Sequence, residues 1–292
     1  MRPAEAMSLM QRETRVAHGV VDPVLGGYAV AVGHNRIVGD SFVLREEGFA
    51  CSYRKGDCIT IQIDDPAKKG LLDLFLAGSV HSAIAAINGF TALHASAVEV
   101  DGKAIAFTGP SGAGKSTTAA ALRSRGLPIV ADDTLVVDMA SGKPMCLPGH
   151  KRLKLWTDSV EMTGMPAFEL VSEDYRKVFA AEEPSEIDHP LPLGAIVVVE
   201  AGAALAFEPV RGAARIALLD DDHYTSQHRI MAQGQDRAGR MKDLARLACA
   251  VPVFRFTRPL DPGCFANTHD FLVGTLSGIF RMDRQGADDQ QV

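Results

Sequence analysis

Short runs of alternating apolar and polar residues dominate the first quarter of the chain. Tyr28-Ala29-Val30-Ala31-Val32, Ser41-Phe42-Val43-Leu44 and Ile59-Thr60-Ile61-Gln62-Ile63 are separated by turn signals at Gly26-Gly27, Gly48 and Gly56-Asp57. Runs of this length with this punctuation predict a small antiparallel sheet. The period then changes. Behind Asp65-Pro66, the residues Leu72, Phe75, Leu76, Val80, Ile84 and Ile87 recur near helical spacing. They predict an apolar helix over roughly 68–88, ended by Asn88-Gly89. The change of period divides the chain into a β-rich N-terminal subdomain (1–66), a larger core (67–282) and a polar, flexible tail (283–292).

Within the larger core, strands and helices alternate. A strand near 91–99 leads through the tight-turn dipeptide Asp101-Gly102 into the apolar run Ala104-Ile105-Ala106-Phe107-Thr108. A helix-forming stretch from Lys115 to Arg125 follows, with Gly126 as its stop, and then the apolar strand Leu127–Ala131 running into Asp132-Asp133. Residues 134–156 read as further strands, and order resumes at 195–199. Helices are predicted over 212–219, 223–231 and 235–249, then a strand over 251–256 and a last helix near 265–280. The alternation predicts an α/β fold. The stretch 160–192, rich in Glu, Asp and Pro, predicts an irregular excursion in the role of a lid or substrate-facing insertion.

The most specific chemistry lies between the second core strand and its helix. Gly109-Pro110-Ser111-Gly112-Ala113-Gly114-Lys115-Ser116-Thr117 has the spacing G-x-x-x-x-G-K-[ST] of a phosphate-binding loop. Glycines let the backbone curl so that successive N–H groups point at phosphate oxygens, and the N-terminal end of the helix dipole faces the same way. Lys115 is placed to reach the β/γ-phosphates, and the Ser116 hydroxyl to ligate Mg²⁺. Nine residues from Gly109 to Thr117 are therefore the expected ATP site.

Asp132 and Asp133 close the next strand, at the sheet edge where α/β folds bind ligands. Adjacent carboxylates point to different sides of the chain, so one can serve the metal and the other can take a proton from an acceptor hydroxyl. His94 lies on the strand before the loop strand. Arg152 and Lys154 alternate with Leu153 and Leu155, which puts two cations on one face, with Arg152 the expected contact to phosphate or acceptor. Arg176, inside the excursion, is the second candidate cation. Asp220-Asp221-Asp222-His223 reads as a helix cap, and Trp156 as a core residue.

His94-Ala95-Ser96, the loop that follows and Val130-Ala131-Asp132-Asp133 resemble the nucleotide core of the HPr kinase/phosphorylase family and of its distant relatives, the ATP-dependent PEP carboxykinases. The resemblance is specific over about 90–140 and weaker over 145–258. It implies a P-loop core of the HPr kinase/PEP carboxykinase type, with His94 near the γ-phosphate, Lys115 and Ser116 holding ATP and Mg²⁺, Asp132 as proton acceptor and Asp133 near the metal. The chain departs from that family in lacking its glycine- and arginine-rich signature and its N-terminal sensory domain. It looks more like the HPr-kinase-like proteins encoded with lasso-peptide maturation enzymes, some of which phosphorylate a serine on a precursor peptide.

Composition narrows the remaining choices. The chain has 292 residues, 47% hydrophobic and 23% charged, with a formal net charge of −6, which argues against a nucleic-acid surface. No apolar run reads as a membrane span of ~20 residues, and the first twenty residues lack the apolar core of a secretory signal. Five scattered cysteines without a C-x-x-C pair predict reduced thiols and a cytoplasmic protein. The expected partners are a nucleotide and a peptide or small-protein acceptor, with a homo-oligomer allowed and neither nucleic acid nor membrane. The expected activity is Mg²⁺- and ATP-dependent phosphorylation of a serine hydroxyl. The alternatives are a kinase for a small hydroxyl-bearing metabolite and a non-catalytic, ATP-gated regulatory module.

Overall fold

The structure is a computed structural model that describes residues 1–172, 175–180, 187–220, 223–234 and 237–288, with the side chains of 167–169, 171–172, 175–176, 237 and 280–288 also outside the description. It is a mixed α/β fold with four sheets.

The N-terminal strands form a five-stranded sheet in which Ile59–Ile63, Phe49–Arg54, Ser41–Glu46 and His34–Val38 pair antiparallel. Val16–His18 adds parallel to Ile59–Ile63. The run at 28–32 is shorter than its pattern implies, since only Tyr28–Ala29 pairs, with Val24–Leu25. A helix over Pro3–Glu13, with no counterpart in the expectations above, precedes the sheet. Its buried Glu13 accepts hydrogen bonds from the Tyr53 hydroxyl and from Asn88 Nδ2 (2.9 Å). One carboxylate thus ties helix, sheet and the end of the next helix together. The sheet shares one face with the rest of the fold, where Phe42, Leu44 and Phe49 pack with Leu72, Val80, Ile84, Phe90 and Val136, while Val21, Val30, Val43 and Ala50 form a small separate cluster.

The apolar segment is helical throughout, as a 3₁₀ turn (Pro66–Lys68), a helix (Lys69–Phe75), a π turn (Leu76–Val80) and a second helix (His81–Ile87). Contrary to the reading of the sequence, Pro66–Ile87 is long and apolar enough to cross a membrane by length and composition; 56% of it is buried inside the fold. Every residue of His81–Ile87 is buried, which is why the segment carries so few charges.

The nine-stranded sheet carries the core. Its order is Ile129–Ala131, Ser96–Val100, Lys103–Thr108, Leu191–Ala201, Met145–Leu147, Leu135–Asp138, Thr91–Leu93. Leu191–Ala201 forks the sheet, pairing along its later residues with Val253–Arg258, which in turn carries Ala206–Val210. Lys103–Thr108 is buried on both faces. Ala104 and Ala106 pack with Val130, Ile196 and Val198 on one side; Ile105 and Phe107 pack with Leu122, Val197 and Leu276 on the other.

The expected strand at 91–99 is broken at His94-Ala95, and its halves lie at opposite ends of the strand order. The chain makes the same crossing again at Asp132-Asp133-Thr134, between Ile129–Ala131 and Leu135–Asp138. Connections of two and three residues span only about 10 Å, so the sheet must curl until its ends nearly meet. Both crossings fall on that seam.

Two expectations about the C-terminal half are corrected. The described residues of the stretch 160–192 are largely regular: Thr157–Thr163 is a helix, and Ala167–Ser172 and Tyr175–Ala180 are paired strands, the second of which also pairs with Lys154–Trp156. Residues 173–174 and 181–186 lie outside the described residues. The last helix runs over Phe265–Asp288, so 283–288 continue a helix rather than forming a tail. Residues 289–292 lie outside the described residues. The cysteines are free thiols, with Cys51 and Cys146 buried.

Candidate active site

Strand direction brings the loop and the aspartates together. Ile129–Ala131 runs antiparallel to Ser96–Val100, which runs antiparallel to Lys103–Thr108. The first and third are therefore parallel, and both deliver their carboxyl ends to one edge. Gly109 follows one and Asp132 the other. A hydrogen bond from Asp132 N to His150 O (2.7 Å) pins the second of these ends.

The loop has the conformation its sequence calls for. Gly109, Gly112 and Gly114 sit at φ 137°, 82° and 92°, and Gly114 caps the helix Lys115–Arg123. Lys115 Nζ curls back to donate to the carbonyls of Gly109 (2.9 Å) and Pro110 (3.2 Å). Gly114 is also held by an unexpected neighbour. A Cβ there would lie 2.0 Å from Arg258 Nη2. That nitrogen donates to Ala113 O (3.1 Å), polarising the peptide whose N–H belongs to Gly114. Arg258 is 7% exposed and makes no ion pair with a described carboxylate, and burial lowers its pKa.

The two aspartates have different surroundings. Asp132, 1% exposed, accepts from Ser96 Oγ (2.6 Å) and from the Lys154 backbone N–H (3.3 Å), with the loop residue Ser116 in the same cleft. Burial raises its pKa, against the pull of Lys154 and these hydrogen bonds. Asp133 takes the ammonium of Lys154 at 2.8 Å on Oδ2, with His94 Nδ1 3.6 Å from Oδ1. Burial works to raise its pKa, but Lys154, His94 and His223 outweigh it and hold the carboxyl below its ordinary range. Asp133 also has φ 70°, a left-handed value shared among described non-glycine residues only by Asp101. The cost is about 1 kcal/mol, least for Asp and Asn, and such strain is typical of functional sites.

His94 lies where the sheet crosses its seam. Its Nδ1 donates to Asp133 O (2.9 Å), which fixes the neutral tautomer with Nε2 as an acceptor. Burial, with Lys115 and His223 nearby, pushes its pKa down to about 3. The ring stacks on His223, centroids 3.6 Å apart. Tyr224 follows, its hydroxyl 2.9 Å from Thr134 Oγ1, and burial together with the nearby Asp133 charge raises its pKa. Opposite them the π turn presents Gly78, where a Cβ would meet Asp133 Oδ2 at 2.7 Å and Tyr224 Oη at 3.0 Å. A π turn beside reacting groups is a recurrent association.

His94, the loop residues Ser111, Gly112, Gly114, Lys115, Ser116 and Thr117, the pair Asp132 and Asp133, and Lys154 line one cleft together with Trp156 and Lys177. Among the described residues no group of three or more His, Cys, Asp or Glu side chains is arranged to hold a metal ion. The cleft offers instead the hydroxyl and carboxylate oxygens of Ser116 and Asp132, hard donors of the kind Mg²⁺ takes alongside phosphate and water. The residues fit a triphosphate and its magnesium.

Arg152 does not line this cleft. Its guanidinium lies 3.8 Å over the Phe179 ring and 3.8 Å from Asp73, and Lys154 is the cation that reaches the aspartates. The side chain of Arg176 lies outside the described residues. Trp156 is not core; it is 45% exposed at the cleft. His223, read from the sequence as part of a helix cap, does precede the helix Tyr224–Gln233, but its ring stacks on His94 and makes no cap hydrogen bond. Asp221 and Asp222 lie outside the described residues. Tyr224, Gly78 and Arg258 were not singled out, because each comes from an element remote along the chain.

No protein-family model matches the chain, and no curated protein matches it. Among solved structures the HPr(Ser) kinase/phosphatase from Coxiella burnetii is similar, at 14% identity over 68% of this chain and 96% of that one, with a TM-score of 0.35. At that level the likeness is weak, and the chemistry of the site stands on its own side chains.

Proposed function

We propose that this chain is a Mg²⁺- and ATP-dependent kinase whose acceptor is a serine hydroxyl on a peptide or small protein. The observation that carries the reading is the meeting of the Lys115 loop with the Asp132–Asp133 pair in a single cleft. A module that only bound ATP would have no use for a strained, charge-paired carboxylate beside the phosphate site.

The division of labour we propose reverses the one implied by resemblance. Ser116 and Asp132 line the same cleft as hard oxygen donors, so these two would hold Mg²⁺, which when bound neutralises charge on the β- and γ-phosphate oxygens. Lys115 draws the triphosphate onto the loop N–H groups. Asp133 is the more accessible carboxylate, its side chain 21% exposed, and it stays ionised beside Lys154. It accepts the acceptor's proton as that oxygen bonds the γ-phosphorus and the β–γ bridging bond breaks. A low pKa suits this role, since in a loose transition state the hydroxyl proton moves late. His94, neutral and held through Nδ1, orients Asp133 through its backbone carbonyl.

A serine in a peptide, with a lasso-peptide precursor as the specific candidate, rests on the resemblance of residues 90–140. A small-metabolite acceptor has one observation in its favour: a second cavity, lined by Thr91, Thr108, Thr225 and Arg229, shares His94 with the phosphate cleft. Mass spectrometry decides between them. Incubated with Mg-ATP, a serine peptide should gain the mass of HPO₃, and Lys115→Ala should slow this by about 10³-fold, the usual scale for removing an electrostatic contact to the transition state. An unmodified peptide alongside a phosphorylated hydroxy metabolite would favour the second acceptor class. ATP binding without transfer to either would end the kinase reading.

A further inference from the structure

Trp156 is the only tryptophan in the chain, and it is left 45% exposed at the rim of a polar cleft. Exposing so large an apolar surface loses the hydrophobic stabilisation that burial would bring. Its surroundings indicate what it serves. Lys154 and Trp156 are two apart on one strand and project to the same side, about 7 Å from each other. Lys154 reaches Asp133, at the reacting end of the cleft. Trp156 therefore stands one step away from that end.

The direction of the step is set by a second contact. Three residues after Trp156, Ser159 Oγ lies 2.9 Å from Thr117 Oγ1, both buried, so this segment is fastened to the last residue of the phosphate loop. In such loops the lysine serves the β/γ-phosphates and the backbone the α/β-phosphates. Thr117 thus marks the α-phosphate end, beyond which a nucleotide continues into ribose and base. Lys177, on the paired strand directly across from Trp156, holds its ammonium 5.0 Å from the indole centroid. That cation covers part of the ring and steadies it, while nearly half of the residue stays open.

We propose that Trp156, backed by Lys177, is the nucleobase-stacking platform of the cleft. The ligand class is a planar aromatic base carried on the polyphosphate that the loop binds, and stacking of this kind tolerates any base because every base has a π-face. The inference rests on the nucleotide reading above and adds the subsite that reads the base.

A lone tryptophan makes the test direct. Emission at Trp156 is followed while Mg-ATP or Mg-tripolyphosphate is added, and thermal unfolding is followed in parallel. Both ligands should raise Tm through the loop, but only ATP should change the emission. Trp156→Ala should weaken ATP by about 10-fold or more, the scale of one base–aromatic stack, with tripolyphosphate affinity unchanged and Trp156→Phe intermediate. Equal emission changes from the two ligands, or equal losses of both in Trp156→Ala, would overturn the platform while leaving the loop assignment intact. An emission change seen only when a peptide acceptor is added would overturn it as well. If neither ligand raises Tm, the nucleotide reading itself fails.

Discussion

The ammonium of Lys154 lies 2.8 Å from Asp133 Oδ2, with the lysine side chain only 5% exposed. A buried cation on this strand is tolerable because of that carboxylate, and the carboxylate stays ionised despite burial because of the cation. The relationship also bears on how two adjacent aspartates coexist: Lys154 holds Asp133 ionised, while burial raises the pKa of Asp132 against the pull of the same cation and of its hydrogen bond from Ser96.

Removing one partner exposes the dependence. Lys154→Met should leave Asp133 charged beside Asp132 with only histidines for company. The expected loss is a few kcal/mol of stability, toward the lower end for a broken buried pair because Asp133 keeps some solvent. Urea denaturation at neutral pH checks it. The Lys154→Met, Asp133→Asn double variant should recover much of the loss, since the stranded charge is gone; additive losses would show that the pair is not coupled.

The two aspartates should separate by assay. Asp133→Asn keeps shape and removes the proton acceptor, so phosphoryl transfer should fall by 10²-fold or more while magnesium-dependent ATP binding persists. Asp132→Asn should instead weaken the dependence of ATP binding on Mg²⁺, measured by calorimetry with and without the metal. The opposite pattern would restore Asp132 as the base. Full activity in both variants would remove the aspartates from the mechanism.

Gly78 offers a test of geometry separate from charge. Alanine favours a helix over glycine by up to ~1 kcal/mol, yet its Cβ would sit 2.7 Å from Asp133 Oδ2. Gly78→Ala should therefore change overall stability little while displacing the carboxylate, with activity down about 10-fold or more, as small misplacements at a reacting centre are costly. Steady-state kinetics beside a thermal melt distinguish the two effects. Unchanged turnover would mean that Asp133 has room to move.

Acid should destabilise the fold through its buried histidines. His81 is pushed down to about 3, and His228 and His269 to about 4, in each case chiefly by burial, from an ordinary value of 6.5. The unfolded chain takes up these protons below 6.5 and the folded chain does not, so each histidine draws the equilibrium toward unfolding at up to ~1.4 kcal/mol per pH unit. Stability should fall steadily from about pH 6.5 toward 4. A melt insensitive to pH across that window would mean that these rings are protonated in the fold. His228→Gln, which retains a hydrogen-bonding partner for Ser82, should flatten the slope by one proton.

Local signals carried much of this architecture. The loop 109–117 is legible because its backbone demands glycine where φ is positive, and the flanking strand and helix follow from apolar periodicity and composition. Asp132 and Asp133 were findable by their place at the end of an apolar strand. The helix over 68–88 was equally plain, although its π turn at Leu76–Val80 was not, since nothing in the order of residues marks one wider turn. The strands within 160–192 were missed because the Glu, Asp and Pro of the region dominate its composition, and their pairing with Lys154–Trp156 is a tertiary event. The helix Pro3–Glu13 escaped notice because eight of its eleven residues are not buried and its apolar stripe is thin.

What the sequence determined alone is the set of groups whose chemistry depends on neighbours a few residues away: the glycine-rich loop, its helix and the paired carboxylates. Tertiary structure decided which distant groups complete the site. Lys154 rather than Arg152 reaches the aspartates, Trp156 opens onto the cleft, and His223, Tyr224, Gly78 and Arg258 converge on the site from remote elements. The reason is the curl of the central sheet. Strands adjacent in sequence lie at opposite ends of its order, so the chain crosses a seam at His94 and again at Asp132–Asp133. Periodicity records which face of a strand is buried, but it holds no trace of which ends of a sheet will meet.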